Sequence, residues 1–196
     1  MSVNLKQSKF VHGDDAYRYP EQIKYNFSSN VWPGGMQPAL QTLLQESVTS
    51  IVNYPPVDGE LIVSRLANKL GVKPENLVLT NGATEAIYLI AQAFSGYKST
   101  ILMPAFSEYE RACALFGHQL EFKRYSEFQT FIRLPDAIYW ICNPNNPMGT
   151  IIDPSQLLLS ATMNPNSLFV IDEAYEALVT SDCSILTWTS KVKNII

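Results

Sequence analysis

From Leu77 to Asp172 one pattern recurs and narrows the folds open to this chain. A short apolar run is followed by a polar loop, often rich in Gly, Pro or Asn, and helical stretches separate many of the runs. The apolar runs are Leu77–Thr80, Thr100–Pro104, Gln119–Tyr125, Asp136–Cys142 and Ser167–Asp172. Helical spacing of apolar residues appears over Ala83–Phe94, Ser107–Gly117 and Pro154–Met163. Short strands alternating with helices predict a three-layer α/β/α fold around a mainly parallel sheet. In such sheets ligands collect beyond the carboxyl ends of the strands. Upstream, Gln37–Val52 carries Leu40, Leu43, Leu44, Val48 and Ile51 at helical spacing, "NYPPVDG" breaks that helix, and Glu60–Leu70 reads as another with Gly71 as its cap. Residues 1–35, rich in Gly, Pro, Asn and Tyr, read as an irregular arm.

Composition removes several classes of function. Hydrophobic residues make up 46% and charged residues 16% of 196 residues, which suits a packed core. The formal net charge is -4 and no basic stripe exists, which argues against nucleic acid as a partner. The apolar runs are too short to cross a bilayer, and Met1–Lys9 lacks an apolar signal core, so a cytoplasmic protein is expected. Cys113, Cys142 and Cys183 match neither a disulfide framework nor metal-ligand spacing.

The chemistry lies after the strands. "NGATEAI" follows Leu77–Thr80: Gly82 turns the chain sharply into a helix whose free N–H groups suit a phosphate. Alone, this is also a plain strand-to-helix junction. "PAFSEY" follows the next strand, with Phe106 at its mouth; a lone Phe there stacks on a flat ring or simply fills core. "NPNNPMG" follows Asp136–Cys142, and its prolines stiffen a loop loaded with amide groups. "DEAY" follows the last strand. Asp172 there is a carboxylate at the edge of an apolar strand, which calls for pairing or hydrogen bonding, or else is a helix cap with Tyr175 packed beside it. Glu173 faces solvent or makes a structural hydrogen bond. One ligand uses all four features, having a phosphate, a flat ring, a phenolic oxygen and a basic ring nitrogen: pyridoxal 5′-phosphate.

These motifs, in this order and at this spacing, resemble the fold-type I enzymes of the class I/II aminotransferase superfamily. The resemblance covers nearly the whole chain. It implies that Gly82, Ala83 and Thr84 bind the cofactor phosphate and that Phe106 stacks on the pyridine. It further implies that Asn146 and Tyr175 reach the phenolic oxygen, that Asp172 pairs with the pyridinium, and that Tyr54 contacts a cofactor phosphate across a homodimer interface. Met148 stands where the family usually has Thr, a change expected to affect loop packing more than chemistry. The start of the chain, "HGDDAYRYP" and "YNFSSNVWPGG", is similar to threonine-phosphate decarboxylases, cobalamin-pathway relatives of histidinol-phosphate aminotransferase. That likeness places His12 and Asn30 near a substrate, expected to be a small-molecule amino acid with or without a phosphate. Asp14 and Trp32 depart from the pattern and leave the substrate open.

The resemblance also implies domains: residues 1–53 as an arm with part of a small domain, and 54–196 as the first part of the cofactor-binding domain. The family carries its cofactor on a lysine in a pattern like "SxTK", after a further strand. Asn194–Ile196 reads as the start of that strand, Lys191 and Lys193 precede it, and no lysine here fills the role. In the family topology the further strands separate Leu77–Thr80 from the rest of the sheet, so without them its edge groups are expected to lack partners. The expectation is therefore the N-terminal half of a larger enzyme. The alternative is a truncated, inactive fragment that binds the cofactor weakly, or binds only a partner.

Overall fold

The computed structural model describes residues 17, 19, 23–32, 34–57, 59–130 and 133–196. His12, expected at the substrate, lies outside them. The chain divides into two compact units, Met1–Ile62 and Val63–Ile196.

In the first unit, residues 23–32 and 34–37 form no helix or strand. Helix α1 (Pro38–Ser47) opens on a proline, whose fixed φ suits a first helical position, and continues into a tighter 3₁₀ turn over Val48–Val52. Helix α2 (Glu60–Leu70) follows the Pro-rich break, with residues 63–70 counted in the second unit; Gly59, at φ 56°, turns the chain into it.

The second unit is built on α3 (Gly82–Ala93), β1 (Lys98–Met103), α4 (Ser107–Leu115), β2 (Gln119–Arg124), β3 (Ile138–Cys142), α5 (Pro154–Met163) and β4 (Leu168–Asp172). The four strands form a parallel sheet in the order β2-β1-β3-β4. β3 is buried along its whole length, and the period of two sorts its side chains. Tyr139 and Ile141 join Leu102 and Phe169 under α5 residues Leu157 and Ala161. Ile138, Trp140 and Cys142 join Ile101 and Val170 under Ile87 and Ala91 of α3 and Tyr109, Ala112 and Cys113 of α4. That is the three-layer α/β/α arrangement the alternation implies. Each large side chain so buried contributes about 2–3 kcal/mol. Cys113, Cys142 and Cys183 are all free and buried.

Leu77–Thr80 is not a formed strand, and it lacks partners as the family topology implies: it is extended but belongs to no ladder, with Leu77 at φ -116° and ψ 136° and Val78 exposed. Extended propensity is local, but a strand exists only through a partner strand's N–H and C=O groups, and among the described residues no strand pairs with this segment; its backbone bonds are local, Leu77 N–H to the Pro74 carbonyl and Gly82 N–H to the Thr80 carbonyl. Asn194–Ile196, by contrast, runs parallel to β4: Phe169 donates to the Asn194 carbonyl at 2.8 Å, and Ile196 to the Phe169 carbonyl at 2.9 Å. The Asn194 amide anchors this short strand by donating to the carbonyls of Ala161, Asn164 and Ser167. Lys191 and Lys193 come just before it and are exposed, and the Lys191 ammonium sits 4.2 Å over the Trp188 ring.

Candidate functional site

The loops after β1, β3 and β4 meet at the carboxyl edge of the sheet and are tied to one another. In the asparagine-rich loop, Asn143 is fully buried. Its amide donates to the Ile152 carbonyl at 3.1 Å, and its oxygen accepts from the Ile152 N–H at 2.8 Å and from the Tyr125 hydroxyl at 3.3 Å. Asn145 is buried as well. It donates to the Pro104 carbonyl at 2.9 Å, joining this loop to the one after β1, and accepts from the Met148 N–H at 3.0 Å. The peptide bonds Met103–Pro104, Asn143–Pro144 and Asn146–Pro147 are cis. Met148 is exposed, so its side chain does not fill the loop. Asn146 differs from its neighbours. It is half-buried, its backbone N–H reaches the Cys142 sulfur at 3.3 Å, and its side-chain amide bonds to nothing among the described residues.

Asp172 ends β4 opposite Cys142 in register, and its carbonyl accepts from the Asn143 N–H at 2.8 Å. Its carboxylate is half-buried. One oxygen accepts from the Ala174 N–H at 3.0 Å, forming a local turn and not a helix cap. The other accepts from the Tyr109 hydroxyl at 2.7 Å. Among the described residues no Lys, Arg or His pairs with it. Tyr109 is 1% exposed, stacked on Trp140 at 5.9 Å and edge-on to Phe106 at 6.0 Å. Burial, reinforced by the Asp172 charge, pushes its phenol far above the ordinary range, so it remains a donor. Burial likewise raises the Cys142 thiol, with the Tyr109 hydrogen bond opposing the shift. Tyr175 is half-buried just past β4. Glu173 turns away into a structural role: its carboxylate accepts from the Ile185 N–H at 2.6 Å and the Ser184 hydroxyl at 2.7 Å, and burial raises its pKa.

Helix α3 runs back across the sheet. The carbonyl of Ala91, near its end, accepts from His118, just before β2, so its start lies toward the carboxyl edge of the strands. Gly82 has φ +76°, and a Cβ added there would meet nothing within 4 Å, so the backbone angle and not space calls for glycine. The N–H groups of Ala83 and Thr84 fall in the first turn and have no intrahelical acceptor. Asn81 does not cap them with its side chain; its own N–H donates to the Glu85 carboxylate. Further along, the Tyr88 hydroxyl donates to the buried Glu108 at 2.7 Å and ties α3 to α4. His118 fixes the far end. A carbonyl can only accept, so Nε2 carries the proton toward Ala91 at 2.8 Å, and Nδ1 accepts from the Ser99 hydroxyl at 2.8 Å. Ser99 in turn accepts from the Trp140 indole at 3.1 Å.

Phe106, Asn146 and Tyr175 thus come from loops, and Asp172 from a strand end, at one edge of the sheet, and Gly82, Ala83 and Thr84 open α3. Asn30 and Tyr54 belong to the first unit and are exposed. Sequence reasoning passed over Tyr109 and Cys142. The signal available for Tyr109 was its place three residues after Phe106, on the buried face of a helix.

The aminotransferase class I and II family model matches residues 22–196. The chain is 30% identical over 181 residues to a histidinol-phosphate aminotransferase of Caldicellulosiruptor saccharolyticus, covering 86% of this chain and 51% of that protein. It is 28% identical to a bifunctional adenosylcobalamin-biosynthesis protein of Leptospira interrogans, covering 90% of this chain and 22% of the other. Among solved structures, L-threonine-O-3-phosphate decarboxylase from Porphyromonas gingivalis superposes with a TM-score of 0.80 at 32% identity, over 86% of this chain and 54% of that one. The chain spans about half the length of the histidinol-phosphate aminotransferase and of the decarboxylase. The family depends on pyridoxal phosphate. By sequence and by fold, the chain belongs to the class I and II aminotransferases.

Proposed function

We propose that this chain forms the cofactor cradle of a pyridoxal-5′-phosphate enzyme acting on an amino acid, with threonine-phosphate decarboxylase-like or histidinol-phosphate aminotransferase-like specificity. One observation carries the reading. Of three asparagines in one loop, two are buried with both ends of their amides bonded, while the half-buried Asn146 keeps its amide open beside a carboxylate-bearing strand end. A half-buried polar group without a protein partner suits a ligand.

The donor set fits the cofactor. Asp172, with no cationic side chain beside it among the described residues, suits a protonated ring nitrogen. Phe106 suits the ring face, Asn146 and Tyr175 the phenolic oxygen, and the first turn of α3, through Gly82, Ala83 and Thr84, the phosphate. Bound there, the cofactor supplies an electron sink for an amino acid's α-carbon. Asp172 holds the proton on the ring nitrogen, Asn146 orients the phenolic oxygen, and Phe106 keeps water from one ring face. On motif alone, His12 and Asn30 are assigned to the substrate and Tyr54 to the cofactor phosphate of a second subunit in a cytoplasmic homodimer.

Fluorescence titration with pyridoxamine 5′-phosphate tests the cradle. Saturable binding is expected, weakened about tenfold or more by Asp172→Asn. Binding that is indifferent to Asp172 would sink the reading. In an enzyme that joins this cradle to a cofactor-holding lysine, release of carbon dioxide from O-phosphothreonine, against amino transfer to 2-oxoglutarate, separates the two specificities.

A further inference from the structure

We propose that Tyr109 is the positioning residue of the ring site: its hydroxyl aims Asp172 at the ring nitrogen, and the edge of its ring holds Phe106 against the ring face. The inference rests on the cofactor reading above.

A carboxylate at a strand end can rotate about two side-chain bonds. Here each oxygen has its own donor, Ala174 N–H at 3.0 Å on one and the Tyr109 hydroxyl at 2.7 Å on the other, so the carboxylate plane is set from both sides. Each oxygen keeps a further lone pair for a ring N–H. Tyr109 itself has little freedom. It is stacked on Trp140, which is fully buried and held by its indole N–H on Ser99. Phe106 meets the Tyr109 ring at 86°, the edge-to-face arrangement that aromatic quadrupoles favour. A buried phenol beside a carboxylate does not ionise at ordinary pH, so the hydrogen bond has one direction. A single side chain therefore couples the group that meets the ring nitrogen to the group that meets the ring face. Its place on the sheet-facing side of α4, in the α3/α4 core cluster, joins both to the core.

The test measures how strongly the protein prefers pyridoxamine 5′-phosphate over the analogue with carbon in place of the ring nitrogen. Wild type is expected to prefer the natural ring by about tenfold or more, and Asp172→Asn to lose that preference. Tyr109→Phe keeps the stack and the edge contact but removes the hydroxyl. It is expected to lose about threefold or more of the preference while binding the carbon analogue as wild type does. Tyr109→Leu, which also removes the brace on Phe106, is expected to weaken both ligands. A preference abolished by Asp172→Asn but intact in Tyr109→Phe would overturn this inference and leave the cofactor reading standing. No preference in wild type would overturn both. Should Tyr109→Phe fail to fold, wild type decides through its Tyr109 hydroxyl proton. Buried on a carboxylate, that proton should exchange slowly enough for an NMR signal that moves in Asp172→Asn, and a fast-exchanging Tyr109 hydroxyl overturns the proposal.

Discussion

The two ends of the candidate site are held in different ways. At the proposed ring end the support is local: the segments after three adjacent strands are laced to each other by Asn143, Asn145 and Tyr109. At the phosphate end the segment leading in, Leu77–Asn81, has no ladder, and α3 begins exposed. That end is placed from a distance, through Tyr88 on Glu108 and His118 on Ala91, plus the packing of Ile87 and Ala91. The difference shows that a helix N-terminus can be positioned without its preceding strand, provided the far half of the helix is fastened to the core. It also makes the ring end depend on single buried amides, and the phosphate end on the register of one helix.

The largest effect belongs to the ring end. Asn143→Ala strands the Ile152 N–H and C=O and loosens Tyr125, all buried, and should cost about 3 kcal/mol. A thermal melt should show a drop of roughly 10 °C. An unchanged melt would mean that the loop does not rely on this amide. His118→Ala comes next, at about 2 kcal/mol, because it leaves the Ala91 carbonyl without its donor and the Ser99 O–H without its acceptor in the core. If α3 is placed from its far half, this variant also weakens pyridoxamine 5′-phosphate binding, although His118 sits at the amino edge of the sheet, away from the ligand. Stability loss with full affinity would break the comparison.

Tyr88→Phe should cost about 1 kcal/mol by leaving Glu108 one donor short. It carries a pH signature too. Burial, with Glu108 adding to it, raises the Tyr88 phenol to about 12. The folded state therefore favours the protonated form, and this share of stability is complete below pH 10 and lost as pH rises toward 12. Urea melts of wild type and Tyr88→Phe should converge over that window; parallel curves would remove Tyr88 from the account.

Much of this could be read in the sequence because it is local. Alternation placed α5 residue for residue, and the step from apolar run to polar motif marked the ends of β1, β3 and β4. Two things could not be read locally. Leu77–Thr80 has the residues of a strand, but pairing is a property of two segments; its want of a partner followed from the family's topology and not from its own propensity. Tyr109 looked like any aromatic on the buried face of a helix, because its hydroxyl partner lies 63 residues away. Asn143, Asn145 and Asn146 are the same residue in the same loop; only the fold separates the two that hold the loop from the one that faces outward.

That separation yields the smallest stability change and the sharpest comparison. Asn146→Ala removes an amide that bonds to nothing among the described residues, so the melt should stay within about 0.5 kcal/mol of wild type. Its backbone N–H still reaches the Cys142 sulfur, which keeps the turn. The effect should instead appear in binding, where losing one hydrogen bond to a phenolic oxygen weakens pyridoxamine 5′-phosphate by about tenfold. Asn143→Ala, three residues earlier, must show the reverse order: a large melt shift, and an affinity loss only as far as the loop gives way. If Asn146→Ala destabilises as much as Asn143→Ala, the amide has a structural partner and the loop has no residue set aside for a ligand. If it changes neither melt nor affinity, the open amide serves no ligand, and the observation that carries the proposed cradle is lost.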